Sequence, residues 1–434
     1  MELLRITGGE RLRGEVAISG SKNAALPVMA ASLLTDAPVE LRNVPDIEDI
    51  DAMASMLRHL GVKVERSGRS EWRLQASGIE NVSVDATLTR RMRGSLLLLG
   101  ALVARAGEAS IARPGGDDIG MRRVEQHLEG LRAMGAEVSE EGDAYVARAR
   151  RLRGTRIDLD IPTVTGTENL MMAAVLADGI TVISNAAREP HVVDLARCLV
   201  GMGARITGVG TELIVIEGSG SLLHGTEHSV TTDYIEAGTY MVAAAATQGD
   251  VVAERMRPTD VRWLSNKLRA AGCDVVEGPS HVRVVGRPLR AVDVTTWPHP
   301  GFATDLQSQY AALMTQAEGV SVVSEAVFEN RFRHADQLRL LGAQVTVEGR
   351  SAVISGPTRL RGARVVVPDI RSGAALVIAA LCAEGTSQLE NAFHLDRGYE
   401  DLDGKLCLLG AQLERLRGTE AEVAIRDFSG VVGD

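Results

Sequence analysis

One short phrase, an apolar residue followed by glycine, a compact apolar residue and an alternating tail, closes six segments of this chain at a nearly constant interval. It reads His59-Leu60-Gly61-Val62-Lys63-Val64, Ala133-Met134-Gly135-Ala136-Glu137-Val138 and Gly201-Met202-Gly203-Ala204-Arg205-Ile206 in the first half. It returns as Ala270-Ala271-Gly272-Cys273-Asp274-Val275, Leu340-Leu341-Gly342-Ala343-Gln344-Val345 and Leu408-Leu409-Gly410-Ala411-Gln412-Leu413. By subtraction of their numbers the glycines lie 74, 68, 69, 70 and 68 residues apart. A glycine just past an apolar-periodic segment takes the left-handed conformation that ends a helix. The alternation behind it, as in Val345-Thr346-Val347-Glu348, predicts a strand. Each repeat is therefore an amphipathic helix, a stop and a strand.

A second element precedes each of these helices, apolar on every side and rich in alanine. It spans Asn23 to Leu34, Arg93 to Ala104, Asn169 to Ala177, Ala237 to Thr247, Gln307 to Ala317 and Ser372 to Ala383. A helix without a polar face belongs at the centre of a fold. Six repeats of one buried helix, one surface helix and a few short strands predict an α/β (α+β) protein of two domains. Each domain is an inside-out α/β barrel, with buried helices ringed by sheets. A chain of 434 residues is too long for one ordinary core. Residues 22–229 hold repeats one to three, and 1–21 with 230–434 hold repeats four to six. The segments Leu3–Arg5 and Gly14–Ile18 read as strands with no helix of their own, so they are expected to complete the second domain. A cleft between two such halves is the default ligand site.

Composition removes several function classes. The formal net charge is −10 and aromatics are 3%, which disfavours a nucleic-acid binder or a protein held on an anionic membrane. The longest apolar run, Ser95 to Ala104, is flanked by Arg93 and Arg105 and is too short to span a bilayer. The opening Met1-Glu2-Leu3-Leu4-Arg5 lacks the layout of a signal peptide. Cys198, Cys273, Cys382 and Cys407 show no metal-ligand spacing and lie in apolar helical stretches, which predicts buried free thiols in a reducing cytoplasm. No metal, cofactor or obligate protein partner is implied.

Positive charge is almost entirely arginine, with lysine confined to Lys22, Lys63, Lys267 and Lys405. Much of it stands in loops that enter helices, where unpaired N–H groups already favour anions. Six such segments carry a resemblance: Ser21-Lys22-Asn23-Ala24-Ala25, Arg113-Pro114-Gly115-Gly116, Asn185-Ala186-Ala187-Arg188-Glu189-Pro190, Phe302-Ala303-Thr304-Asp305, Val327-Phe328-Glu329-Asn330-Arg331-Phe332 and His394-Leu395-Asp396-Arg397-Gly398-Tyr399. Together they resemble the signatures of the UDP-N-acetylglucosamine enolpyruvyl transferases, from the first strand to about residue 417. The resemblance implies transfer of the enolpyruvyl group of phosphoenolpyruvate to the sugar 3-hydroxyl with release of phosphate, the first committed step toward peptidoglycan. It places Lys22, Arg93, Arg122 and Arg397 on phosphoenolpyruvate, a collar of cations suited to departing phosphate. Asp305 is the implied general base, and Lys22, Asp117, Asp305 and Arg397 the catalytic set. Asn23, Arg93, Asp305, Val327 and Thr165 are implied contacts of the sugar nucleotide, with Arg91, Arg331, Asp369 and Arg371 supporting a closed state.

Four departures set this chain apart. Asp117 stands in the mobile loop near 113–123 where the family has the Cys that acts as general acid and is alkylated by the epoxide antibiotic fosfomycin. A free Asp titrates near 3.9 and a free Cys near 8.5, so Asp117 must be protonated when it is needed; Asp118 pushes it up and Arg113 and Arg122 pull it down. Tyr234 replaces an Arg before Ile235-Glu236-Ala237-Gly238-Thr239. Arg123 and Glu125 replace Pro and Asp ahead of His127, beside the implied uridine pocket. Alternatives are a paralogue using another acceptor, such as shikimate 3-phosphate, and a non-catalytic paralogue that binds the sugar nucleotide.

Overall fold

The recurring glycines build the same helix ending six times. Gly61, Gly135, Gly203, Gly272, Gly342 and Gly410 all have φ between +94° and +109°. In each case the next residue's N–H reaches back to close the helix, as Val62 does to the carbonyl of Leu57 at 3.0 Å and Ala343 to that of Leu338 at 3.0 Å. Val62, Ala136, Ala204, Cys273, Ala343 and Ala411 are all buried there. Small apolar residues recur after the glycine because that position plugs the core beneath the helix end.

The structure is a computed structural model that describes residues 2–431, with side chains to residue 424. Its contacts divide the chain into two units. One comprises Met1–Ile18, Asp118–Met121 and Asp233–Asp434; the other comprises Ser19–Asp117 and Arg122–Thr232. Each unit has a hydrophobic core of its own, one running from Ala24 to Val230 and the other drawing on Leu4 to Ile18 and Tyr234 to Ala411.

The unit of construction is clearest at Ser83–Arg148. Ser83–Val84 pairs parallel with Glu108–Ala112, across the buried helix Leu97–Ala106. Glu108–Ala112 pairs antiparallel with Ala144–Arg148, which pairs antiparallel with Glu137–Glu141. A parallel pair needs a crossover, and the buried helix is that crossover. The order first, second, fourth, third recurs in sheets around Ile180–Ser184 and Gly319–Ser324. The other three sheets borrow a strand from elsewhere in the chain. Thr226–Ser229 completes the sheet of Val39–Arg42, and Arg13–Ala17 that of Asp250–Glu254. Glu2–Thr7 lies between Thr386–Glu390 and Gln412–Arg417. The orphan N-terminal strands thus do complete sheets of the later repeats. No ladder among the described residues closes into a barrel: the six sheets remain separate four-stranded sheets. Each sheet is complete at four strands, including the three that take one from elsewhere in the chain, and no strand is shared between two sheets.

The buried helices are as apolar in place as in sequence. Every residue of Tyr234–Ala246 and of Gln307–Met314 is buried. Their close approach needs small residues: a Cβ at Gly100 would lie 2.3 Å from the carbonyl oxygen of Asn169. The expected burial of all four cysteines is corrected. Cys198 and Cys273 are buried, Cys382 is intermediate and Cys407 is exposed, because it lies on the solvent side of Leu402–Leu408. Cys273 follows its helix rather than lying within it. Among the described residues no helix is long and apolar enough to cross a membrane, and no group of three His, Cys, Asp or Glu is placed to hold a metal ion.

Candidate active site

In the unit of Ser19–Asp117 and Arg122–Thr232, Ser21 caps the helix Lys22–Ala31 by accepting the N–H of Ala24 at 3.4 Å. This puts Lys22 in the first helical turn with its stem buried and its Nζ 3.1 Å from Asp49 Oδ2. Asp49 sits in the first turn of Glu48–His59, where the helix end favours a carboxylate. Lys22 is therefore held by a counter-ion that the sequence reading did not include. Asn23 is half-buried beside it.

The glycine pair of the loop has a steric cause. Gly115 donates its N–H to the Thr89 carbonyl at 3.1 Å, and a Cβ there would lie 1.9 Å from the Arg90 carbonyl oxygen. Gly116 has φ +105°, with its Cβ position 3.1 Å from Arg93 N and 3.7 Å from Arg122 Nη1. The Arg93 guanidinium donates to the Arg122 carbonyl. Arg93, Arg122 and the loop that continues into half-buried Asp117 are thus brought together. Burial lowers the Arg93 pKa, against the pull of Tyr145 and Glu125. Arg91 in the same turn is exposed, and its backbone N–H donates to Leu88.

Thr165 belongs to a buried network around His127. Asn169 spans it, accepting the Gly100 N–H on Oδ1 at 2.5 Å and placing Nδ2 2.9 Å from His127 Nδ1. An amide nitrogen only donates, so His127 Nδ1 accepts and Nε2 carries the hydrogen, toward Thr165 Oγ1 at 3.3 Å. Burial, with the nearby Arg93 charge, pushes the His127 pKa down to about 3, and the ring is neutral.

In the other unit Asp305 is the focus. Arg371 donates to Asp305 Oδ2 through Nε at 3.1 Å and Nη2 at 2.9 Å, and Arg331 donates to Oδ1. Both guanidiniums are almost fully buried, while a quarter of the Asp305 side chain is exposed. Burial opposes the charge on Arg371, but the facing Asp305 carboxylate outweighs it and holds the guanidinium above its usual pKa. Asp369 caps the helix Ile370–Cys382, accepting the N–H groups of Arg371 at 3.0 Å and Ser372 at 2.8 Å, which fixes where Arg371 begins. The structure therefore makes Arg331 and Arg371 direct partners of Asp305.

Several organisers escaped sequence reasoning. Buried Glu325 accepts from Thr296 Oγ1 at 2.7 Å, Thr304 Oγ1 at 2.9 Å and the N–H groups of Val327 and Phe328 at 2.8 and 3.0 Å. It thereby seats half-buried Val327 and the threonine before Asp305. Arg397 follows the short helix Phe393–Asp396 and is half-buried. Beyond it a Cβ at Gly398 would lie 2.6 Å from Ile370 Cγ2, and the Tyr399 hydroxyl is 2.9 Å from Thr239 Oγ1. Gln309 donates both to Tyr399 and to the Asp305 carbonyl, so the Arg397 and Asp305 segments share a partner.

Comparison with known proteins agrees with this architecture. The family model of EPSP synthase (3-phosphoshikimate 1-carboxyvinyltransferase) matches residues 6–406. The enolpyruvyl transferase NikO from Streptomyces tendae is similar in structure, with TM-score 0.87 and 29% identity over 96% of this chain and 99% of that one. An EPSP synthase from Acinetobacter baumannii shares the fold with TM-score 0.76 at 18% identity, over 96% of this chain and all of its own. With most of its length matched by that family model, the chain belongs to the EPSP synthase family of enolpyruvyl transferases: it is a 1-carboxyvinyltransferase, which moves the enolpyruvyl group of phosphoenolpyruvate to an acceptor.

Proposed function

We propose that the acceptor is UDP-N-acetylglucosamine, attacked through its 3-hydroxyl, and that the reaction is the first committed step of peptidoglycan precursor synthesis in the cytoplasm. The observation that carries this reading is the Asp305 carboxylate, held between Arg331 and Arg371 yet partly open to solvent. It fits a base for a sugar hydroxyl, and the segments around it are those that resemble the UDP-sugar enzymes. Lys22, Arg93, Arg122 and Arg397 hold the phosphate and carboxylate of phosphoenolpyruvate. Asn23, Thr165 and Val327 contact the sugar nucleotide, and Arg91 and Asp369 support the closed state. The sugar oxygen bonds to C2 of phosphoenolpyruvate as its proton passes to Asp305, and Asp117 protonates C3. Breaking the C2–O bond then expels phosphate, and loss of a C3 proton restores the double bond.

Phosphate release on mixing enzyme and phosphoenolpyruvate with UDP-N-acetylglucosamine, against shikimate 3-phosphate, tests the acceptor. Release with the sugar nucleotide alone is expected, and release only with shikimate 3-phosphate overturns it. That second acceptor is favoured by the name of the matching family, and Tyr234, Arg123 and Glu125 are where this chain departs from the UDP-sugar pattern.

The carboxyl at Asp117 has no thiol to alkylate. Turnover is expected to persist in fosfomycin, with no mass added to the peptide containing residues 113–123, while Asp117→Cys becomes covalently inhibited. An adduct on that peptide of the unsubstituted enzyme would refute this reading of the loop.

A further inference from the structure

Arg415 lies on the strand Gln412–Arg417, opposite Leu4 of the N-terminal strand. Its side chain is only 12% exposed, yet it meets three carboxylates from three segments. Nε and Nη2 grip the two oxygens of Asp403 at 2.5 and 2.9 Å. Nη1 reaches Asp396 at 2.8 Å and Glu2 at 3.2 Å. Glu2 stands on a strand paired on both sides, and Asp403 on a helix anchored by buried Leu402 and Leu406. The helix Phe393–Asp396 is different: four residues long, it buries only Leu395. A helix so short has little hydrogen bonding to hold it. Asp396 is its last residue and Arg397 is the next. Beyond Arg397 the chain is seated again, where Gly398 abuts Ile370 and Tyr399 bonds Thr239.

We propose that Arg415 is a positioning residue for phosphoenolpyruvate binding: through Asp396 it anchors one side of Arg397, as Gly398 and Tyr399 anchor the other. The bidentate grip on Asp403 orients the guanidinium plane, and the remaining nitrogen holds the end of the short helix. Arg397 thus stands between two fixed points, although the helix before it is too short to fix it. The inference rests on the reading that Arg397 binds phosphoenolpyruvate.

Steady-state kinetics with whichever acceptor supports phosphate release provide the test, on Asp396→Asn, Glu2→Gln and Arg397→Gln. Asp396→Asn keeps the side-chain size and removes the charge that Arg415 holds. It is expected to raise the KM for phosphoenolpyruvate about tenfold, the scale of one charge-assisted hydrogen bond, with the acceptor KM unchanged and kcat within about threefold. Glu2→Gln weakens the same guanidinium's contacts away from residue 397 and is expected to lower the melting temperature without moving either KM. Arg397→Gln is expected to raise the phosphoenolpyruvate KM more than Asp396→Asn does. If Arg397→Gln raises it and Asp396→Asn does not, the positioning role is overturned while the reading of Arg397 stands. If Arg397→Gln leaves it unchanged, that reading falls and the inference with it. Equal increases in both KM values for Asp396→Asn and Glu2→Gln reduce Arg415 to a stability residue and overturn the proposal.

Discussion

Asp305→Asn is expected to slow turnover by about 100- to 10,000-fold, the usual contribution of a positioned general base. The amide preserves shape but cannot take the proton of the attacking hydroxyl. It also leaves Arg331 and Arg371 without their counter-charge, and both are almost fully buried. Breaking a buried pair costs about 3–5 kcal/mol; because Asp305 is a quarter exposed, water screens part of this and the lower end applies. The variant should therefore melt earlier as well as react slowly. Single-turnover phosphate release well below the melting temperature separates the two effects. Turnover within a few-fold of the unsubstituted enzyme would remove Asp305 from the chemistry.

The second large effect concerns acid. His127 is fully buried and neutral, its pKa pushed down to about 3 by burial and then by Arg93. His334 is also fully buried, its pKa lowered to about 4 by burial, with Asp369 partly opposing. An unfolded histidine titrates near 6.5. The unfolded chain thus takes up protons that the folded one refuses, and stability present above about 6.5 is lost as pH falls toward the folded values. At pH 5 the loss is about 2 kcal/mol for each ring. Glu168 acts in the opposite sense: burial and then the Glu189 charge hold its pKa well above the usual range, so its contribution is lost as pH rises. Individual substitutions separate these terms. His127→Gln should flatten the fall in urea stability between pH 7.5 and 5 by about 2 kcal/mol, and Glu168→Gln should steepen it. An unchanged slope in His127→Gln would mean that the ring is charged or solvated in the folded protein.

Much of the fold was legible because glycine and alanine leave few options. A residue with φ near +94° repeated at even spacing marks helix endings, and an all-apolar helix must be interior. The orphan strands Glu2–Thr7 and Arg13–Ala17 were visible for the same reason: nothing near them could cover them. The partner of Val39–Arg42 was not, since Thr226–Ser229, with Thr226, Glu227, His228 and Ser229, carries no apolar alternation. Exposure of Cys407 was equally hidden, because a two-turn helix has too few residues to define its face. Within the site, Lys22 and the arginines stood out by charge near helix starts, whereas Asp305 was marked only by the resemblance of its segment to the family. Their partners did not stand out: Asp49 and Asn169 act through residues distant in sequence, as Glu325 does on Thr296 and Thr304, and a lone Asp, Asn or Glu has many solvated precedents. Tertiary placement alone distinguishes them.

The borrowed strands impose an order on biogenesis. Residues 2–17 leave the ribosome long before their partners at Asp250–Glu254, Thr386–Glu390 and Gln412–Arg417 are translated. At roughly 5–20 residues per second the delay is on the order of tens of seconds. The segment ending at Thr232 has all its strands by then and is able to condense while translation continues. The leading two strands must wait with bare hydrogen-bonding edges, a template for pairing with other nascent chains. Chaperone dependence in this protein should therefore concentrate at the strands Glu2–Thr7 and Arg13–Ala17.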